Sequence, residues 1–309
     1  MHVNMNAIEC TDVFKKFGEK IAVNSLNMTV NSGKIYGFLG PNGAGKTTTL
    51  KMLAGLAKPT SGTINIFGEE IIFGKQYSHL IGYVHDCPEF PQNMNARSFL
   101  IFMGELCGFR GQKLKSKVDE VLQLVGLYNE KSRAGGFSRG MKQRLGVAQA
   151  LLGSPKVVIL DEPSAALDPI GRKDIFDLIL SVSKNTTVLF STHILEDADR
   201  ICDTIGIINK GKMIVEAEKE ELRKKFSIKK LLLEFDSVPE TLIGLIREEL
   251  PDCQISVDQN RLILKGNEQD VMCIKVQRML ANESAIIRRL EIIEPSLEDI
   301  FVKLVNNNG

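Results

Sequence analysis

Through the first two thirds of the chain, short apolar runs alternate with segments whose apolar positions recur at helical spacing. The runs Ile35–Leu39, Thr63–Ile66, Val157–Leu160, Thr187–Ser191 and Thr204–Asn209 predict strands. Their alternation with helices predicts an α/β domain built around a largely parallel sheet. Val157–Leu160 is apolar at every position, as a strand covered on both faces must be. From about Asp86 to Ser154 the strand signal stops, and Ala96–Gly108 and Leu114–Val125 carry the amphipathic period of helices. A helical insert is therefore expected over residues 86–154. The charged stretch Glu216–Lys225 predicts a solvated helix closing a first domain of residues 1–222.

Residues 223–309 follow another order: strand Lys230–Phe235, helix Glu240–Leu250, strands Gln254–Val257 and Leu262–Lys265, helix Glu268–Ala281, strand Ile286–Ile293. This β-α-β-β-α-β series predicts a small ferredoxin-like α+β domain, with Asp258-Gln259-Asn260 turning its central hairpin. A last amphipathic helix, Ser296–Val305, is expected behind Pro295, with Ser296 as its cap and Asp299 in its first turn.

Composition narrows the partners. Of 309 residues, 43% are hydrophobic and 25% charged, and the net charge is +1, so no broad basic field invites nucleic acid. The 6 cysteines are scattered, without a C-x-x-C pair, which predicts free thiols in a reducing compartment. No apolar run approaches the ~20 residues of a membrane-spanning helix, and the N-terminus lacks the apolar core of a secretory signal. Work at a membrane would have to proceed by docking.

The strongest chemical signal is the segment Gly40-Pro41-Asn42-Gly43-Ala44-Gly45-Lys46-Thr47-Thr48, a full match to G-x-x-x-x-G-K-[ST] between a predicted strand and a predicted helix at Thr47–Leu56. Glycines let successive backbone N–H groups turn toward phosphate oxygens, and the helix N-terminus adds its partial positive charge. Lys46 is placed to neutralise the β- and γ-phosphates of ATP, and Thr47 to put its hydroxyl on Mg²⁺. A second signal is Val157-Val-Ile-Leu-Asp161-Glu162-Pro163, a buried strand that delivers two carboxylates at its C-terminal tip. Asp161 suits the Mg²⁺ shell. Glu162, pointing the other way along the pleat, suits a general base for the attacking water.

With these motifs in place, residues 6–220 resemble the ATP-binding-cassette (ABC) ATPases. The segment Phe137-Ser138-Arg139-Gly140-Met141-Lys142-Gln143-Arg144 is similar to the family signature. The resemblance implies that Ser138 and Gly140 meet the ATP of a second copy in an ATP-dependent head-to-tail homodimer. Ser164-Ala-Ala-Leu167-Asp168 resembles the loop crossing that contact, which adds Asp168. His193 matches a histidine that contacts the γ-phosphate, and Phe17 an aromatic that stacks on adenine. Two positions depart from the pattern: Arg139 stands where a glycine is usual, and Asp86 where a glutamine senses Mg²⁺ and the membrane partner. Asp86 is carried over as a weak Mg²⁺ ligand; Gln76 and Gln92 are out of register.

The single cassette followed by Glu294-Pro295-Ser296-Leu297-Glu298-Asp299-Ile300-Phe301 resembles subunits of bacitracin-type exporters. That implies an ATPase on the cytoplasmic face of a bacterial membrane, energising a separate transmembrane permease and binding no nucleic acid. The alternative is an ABC ATPase acting on nucleic acid or ribosomes. One cassette, no sustained heptads and no metal-binding cysteine cluster speak against it.

Overall fold

A computed structural model of the chain describes residues 6–77, 79–225, 230–266, 269–282, 286–293, 297–298 and 300–301. The chain separates into two compact units, one running to Lys219 and the other from Glu220.

The first unit opens with a long hairpin, β1 (Asn6–Phe17) and β2 (Lys20–Asn31), followed by β3 (Ile35–Leu39), α1 (Lys46–Leu53), β4 (Ser61–Ile66), β5 (Glu69–Glu70) and β6 (Ile81–Val84). Helices α2 (Ala96–Leu106) and α3 (Gly111–Leu124), a 3-10 turn at Ala134–Gly136 and α4 (Arg139–Leu151) come next. The unit continues through β7 (Val157–Leu160), α5 (Pro169–Ser183), β8 (Thr187–Thr192), α6 (Leu195–Ile201), β9 (Thr204–Asn209) and β10 (Lys212–Glu218). Helix α7 (Lys219–Lys225) spans the junction.

Two sheets organise this unit. The six-stranded one runs β10-β9-β3-β8-β7-β6, parallel from β9 to β6, with β10 antiparallel at its edge. Every residue of β3, β7 and β8 is buried, which explains their unbroken apolar character. The other sheet, β2-β1-β4-β5, is antiparallel. It corrects one expectation, since Thr63–Ile66 belongs here and not among the parallel strands. It also holds β1, β2 and the short β5, which the apolar pattern did not announce; β6 and β10 of the other sheet were likewise unannounced. β1 and β2 change register around Val13 and place Asp12 and Ser25 at positive φ, so their inward positions do not keep a strict period of two.

The charged stretch Glu216–Lys225 is likewise not one helix, because Glu216–Glu218 complete β10. Glu216 faces the protein, not water. Its Oε1 accepts hydrogen bonds from the Tyr36 hydroxyl at 2.8 Å and the Thr29 N–H at 2.9 Å. Burial raises the Glu216 carboxyl above the usual carboxylate range, against the lowering effect of those two donors. Burial first, and Glu216 second, push the neighbouring Cys10 thiol up to about 12. A carboxyl whose pKa is raised by folding contributes stability below its unfolded pKa and loses it as pH climbs through the folded value. Relative to Glu216→Gln, the wild-type chain should therefore lose melting temperature as pH rises from about 4.5, the ordinary glutamate value. Thermal unfolding of both chains across pH 4.5–8, at roughly half-unit steps, measures it; a constant gap would refute the account.

In the second unit, β11 (Lys230–Phe235), α8 (Glu240–Glu249), β12 (Gln254–Asp258), β13 (Arg261–Lys265), α9 (Gln269–Asn282) and β14 (Ile287–Ile293) follow the predicted order. The strands form an antiparallel sheet ordered β12-β13-β11-β14. Leu231, Leu233 and Phe235 of β11 pack with Leu262 and Leu264 against Leu242, Ile246 and Val276 of the helices. Gln259, at φ 50°, turns the hairpin. Of the expected terminal helix, Leu297, Glu298, Ile300 and Phe301 are helical; Ser296, Asp299 and 302–305 lie outside the described residues.

Candidate functional site

Strand β3 ends at the C-terminal edge of the parallel sheet, where the chain turns through Gly40–Gly45 into α1. Two glycines there are sterically required. A Cβ on Gly45, at φ 108°, would stand 2.5 Å from the Ala22 carbonyl oxygen, and one on Gly40 would collide with the Ile208 carbonyl. The helix begins at Lys46, one residue before the predicted start, with no side chain capping its N-terminus, so its first N–H groups face the loop. Lys46 is buried. Its Nζ donates to the carbonyls of Gly40 at 2.6 Å and Pro41 at 3.3 Å, and stands 3.2 Å from Glu162 Oε1.

Both carboxylates arrive at the tip of β7, but alternation along the strand does not aim Glu162. Glu162 adopts φ 46°, a left-handed turn that carries its side chain back toward Lys46. This corrects the expectation of a simple pleat. Ser191 at the end of β8 secures the pair, its hydroxyl donating to Asp161 Oδ1 at 2.7 Å and accepting the Glu162 N–H at 3.0 Å. Sequence reasoning assigned Ser191 no role, because only the parallel register of β7 and β8 brings it there. The other Glu162 oxygen, Oε2, lies 2.9 Å from His193 Nδ1. Glu162 is thus clasped between an ammonium and an imidazole.

Thr47 Oγ1 donates to Asp161 Oδ1 at 3.2 Å, while Asp161 Oδ2 is buried with no hydrogen-bond partner. A buried carboxylate oxygen without a partner, beside a hydroxyl whose oxygen lone pairs remain available, suits a hard cation such as Mg²⁺. Among the described residues no group of three or more His, Cys, Asp or Glu side chains could hold a metal alone. A cation here would need phosphate oxygens and water to complete its shell.

Phe17, Pro41–Gly43, Gly45–Thr48, Asp86, Glu162 and His193 line one cavity of ≈ 420 Å³, within the range of small-molecule sites. Gly40 and Ala44, also predicted to bind nucleotide, shape the loop from beneath. Lys20 and Ala22 join the lining unannounced by any motif, and Ala165 joins it from the Ser164–Asp168 segment. Phe17 is 55% exposed at the rim, with Lys15 Nζ 4.7 Å from its ring centroid, so it is not a core residue. Asp86 is half-exposed and its Oδ1 accepts the Cys87 N–H at 2.8 Å. On β6, the Tyr83 hydroxyl is buried without a partner. Burial, and after it the charges of Asp161 and Asp86, hold its pKa well above the usual tyrosine value.

Ser138, Gly140 and Asp168 do not join this cavity. They line a second one of ≈ 360 Å³ with Arg139, Arg144 and Asp174. Ser138 caps α4 by accepting the Met141 N–H at 3.2 Å, and Asp168 caps α5 by accepting the Gly171 N–H at 2.9 Å. The Arg139 guanidinium donates at 3.3 Å to Sγ of Cys87, next in sequence to Asp86. Gln143, one turn further along α4, donates to the Asp86 carbonyl at 3.1 Å.

Among the described residues no helix is long and apolar enough to cross a membrane. The family model described as ABC transporter matches residues 23–165. The bacitracin transport ATP-binding protein BcrA of Bacillus licheniformis is 40% identical over 303 residues, 96% of this chain and 97% of that protein. The Nod factor export ATP-binding protein I of Rhizobium sp. (strain N33) is 33% identical over 96% of both chains. Among solved structures, the ADP conformation of an ATP-binding cassette of an ABC transporter superposes with a TM-score of 0.64 at 25% identity, covering 70% of this chain and 92% of that one. A glycine-cradled cavity lined by a lysine, a glutamate and a histidine, with a buried aspartate hydrogen-bonded to its Thr47, fits those relatives, and the chain belongs to the ABC transporter family as an ATP-binding, ATP-hydrolysing subunit.

Proposed function

We propose that the chain energises the export of a peptide antibiotic or related drug-like molecule through a separate membrane permease, docked at the cytoplasmic face of a bacterial membrane. One observation carries this reading. The match to the bacitracin and Nod factor proteins runs over nearly the whole chain, well beyond the residues 23–165 that the family model matches and through the second unit. A deletion strain of the host should become several-fold more sensitive to bacitracin-class peptides and regain resistance with the wild-type gene but not with Glu162→Gln. Unchanged inhibitory concentrations across a panel of peptide antibiotics and drug-like molecules would defeat export.

Within the nucleotide cavity, Gly40–Thr48 would wrap the phosphates, and Lys46 would exchange its carbonyl partners for β- and γ-phosphate oxygens. Phe17 would face adenine from the rim. Thr47 and Asp161 would hold Mg²⁺, with Asp86 at the outer edge; the cation's contribution is to neutralise phosphate charge. Glu162 would take a proton from the attacking water, with His193 fixing its carboxylate on the far side from Lys46.

The separation of the two cavities supports a head-to-tail homodimer. Ser138, Gly140 and Asp168 stand apart from their own phosphate loop, so they would complete the nucleotide site of a second copy. Residues 1–222 are read as the ATPase domain, with 86–154 as its helical insert, and 223–309 as an accessory domain. The strand order of the second sheet, with α8 and α9 as its crossovers, supports the ferredoxin-like reading for that domain.

A further inference from the structure

Two buried polar atoms lack partners at one end of the parallel sheet, and they stand on neighbouring strands. In the register of β6 and β7, Tyr83 lies beside Ile159 and Val84 beside Leu160. The Asp161 N–H continues that ladder by donating to the Val84 carbonyl at 2.9 Å. Asp161 therefore falls on the same face as Tyr83, two residues further toward the cavity. Asp161 is 1% exposed; Ser191 and Thr47 occupy its Oδ1, while its Oδ2 and the Tyr83 hydroxyl are both unpaired. An unpaired buried hydroxyl beside an unpaired buried carboxylate oxygen is costly unless a third group reconciles them. The Tyr83 ring is set edge-on to His85, with centroids 6.4 Å apart.

We propose that Tyr83 is a positioning residue of the metal site: its hydroxyl is held for a hydrogen bond toward Asp161 Oδ2, directly or through one water, and fixes how that carboxylate presents itself to a divalent cation. Losing a group that orients a ligating carboxylate typically weakens metal binding about 10–100-fold. The inference rests on the reading of Asp161 as a metal ligand.

The test uses the full chain loaded with a non-hydrolysable ATP analogue, with Mn²⁺ as probe and electron paramagnetic resonance counting free ion. Tyr83→Phe, which keeps the ring and removes one oxygen, should weaken Mn²⁺ binding about tenfold. Its affinity for the analogue in EDTA should stay within about twofold of wild type, since the metal-free contacts are untouched. In an Asp161→Asn background, the same change should shift Mn²⁺ affinity by less than about twofold, because Tyr83 acts through that carboxylate. Wild-type Mn²⁺ affinity in Tyr83→Phe, or equal losses with and without metal, overturns the proposal. So does an undiminished effect in the Asp161→Asn background. Intact Mn²⁺ binding in Asp161→Asn alone would instead refute the metal assignment of Asp161.

Discussion

Glu162→Gln should all but abolish ATP turnover while leaving nucleotide binding intact. The exchange preserves shape and keeps an oxygen for Lys46 or His193, yet removes the group able to accept a proton from water. General-base contributions are typically about 10²–10⁴-fold, and a loss of kcat in that range is expected. The chain loaded with ATP should then accumulate as a dimer, visible by light scattering. Adding Ser138→Arg should return it to a monomer without weakening ATP binding, because that position lines the second cavity and not the first. ATPase activity within about tenfold of wild type would remove Glu162 from the role of base. A double variant that still dimerises would remove Ser138 from the interface.

Lys46→Ala should instead strike binding. Among the described residues the ammonium is the one buried cation at the phosphate loop, fixed by Gly40, Pro41 and Glu162 at 2.6, 3.3 and 3.2 Å. Hydrogen bonds to charged groups contribute about 1.5–3 kcal/mol each, so losing even one such contact to phosphate corresponds to a roughly 10–100-fold weaker affinity. Glu162 would at the same time lose its neutralising neighbour and confront the incoming γ-phosphate with an uncompensated negative charge. Titration with a fluorescent ATP analogue measures the effect. A dissociation constant within about threefold of wild type would show that backbone N–H groups alone hold the phosphates.

How much of this was legible beforehand depended on whether the information was local. The phosphate loop could be read because its glycine spacing is a conformational requirement written over a few consecutive residues. The β-α-β-β-α-β order of the second unit could be read because each element there carries its own period. Glu162 was read for the right pocket but for the wrong reason: a positive φ, not strand alternation, points it inward. Nothing in the residues around Ser191 or Tyr83 reveals a role, since their positions depend on which strands lie side by side. β1 and β2 escaped because register shifts blur their alternation. Glu216 misled by its charge, since a carboxylate in an acidic and basic run reads as solvated until Tyr36 and Thr29 are seen to bond it.

The cap on α4 gives Ser138 two tasks, which a mutation there disturbs together. Ser138 is exposed, and its oxygen accepts the Met141 N–H through a lone pair, which leaves the hydroxyl hydrogen uncommitted and its origin fixed in space. An acceptor approaching from outside meets a donor already immobilised, so little rotamer freedom is lost on contact. The same atom thus secures a helix end with one side of its electron density and offers recognition with the other. Replacing it by a residue that cannot accept frays the helix as well as silencing the donor, whereas an aspartate would keep the first task and reverse the polarity of the second.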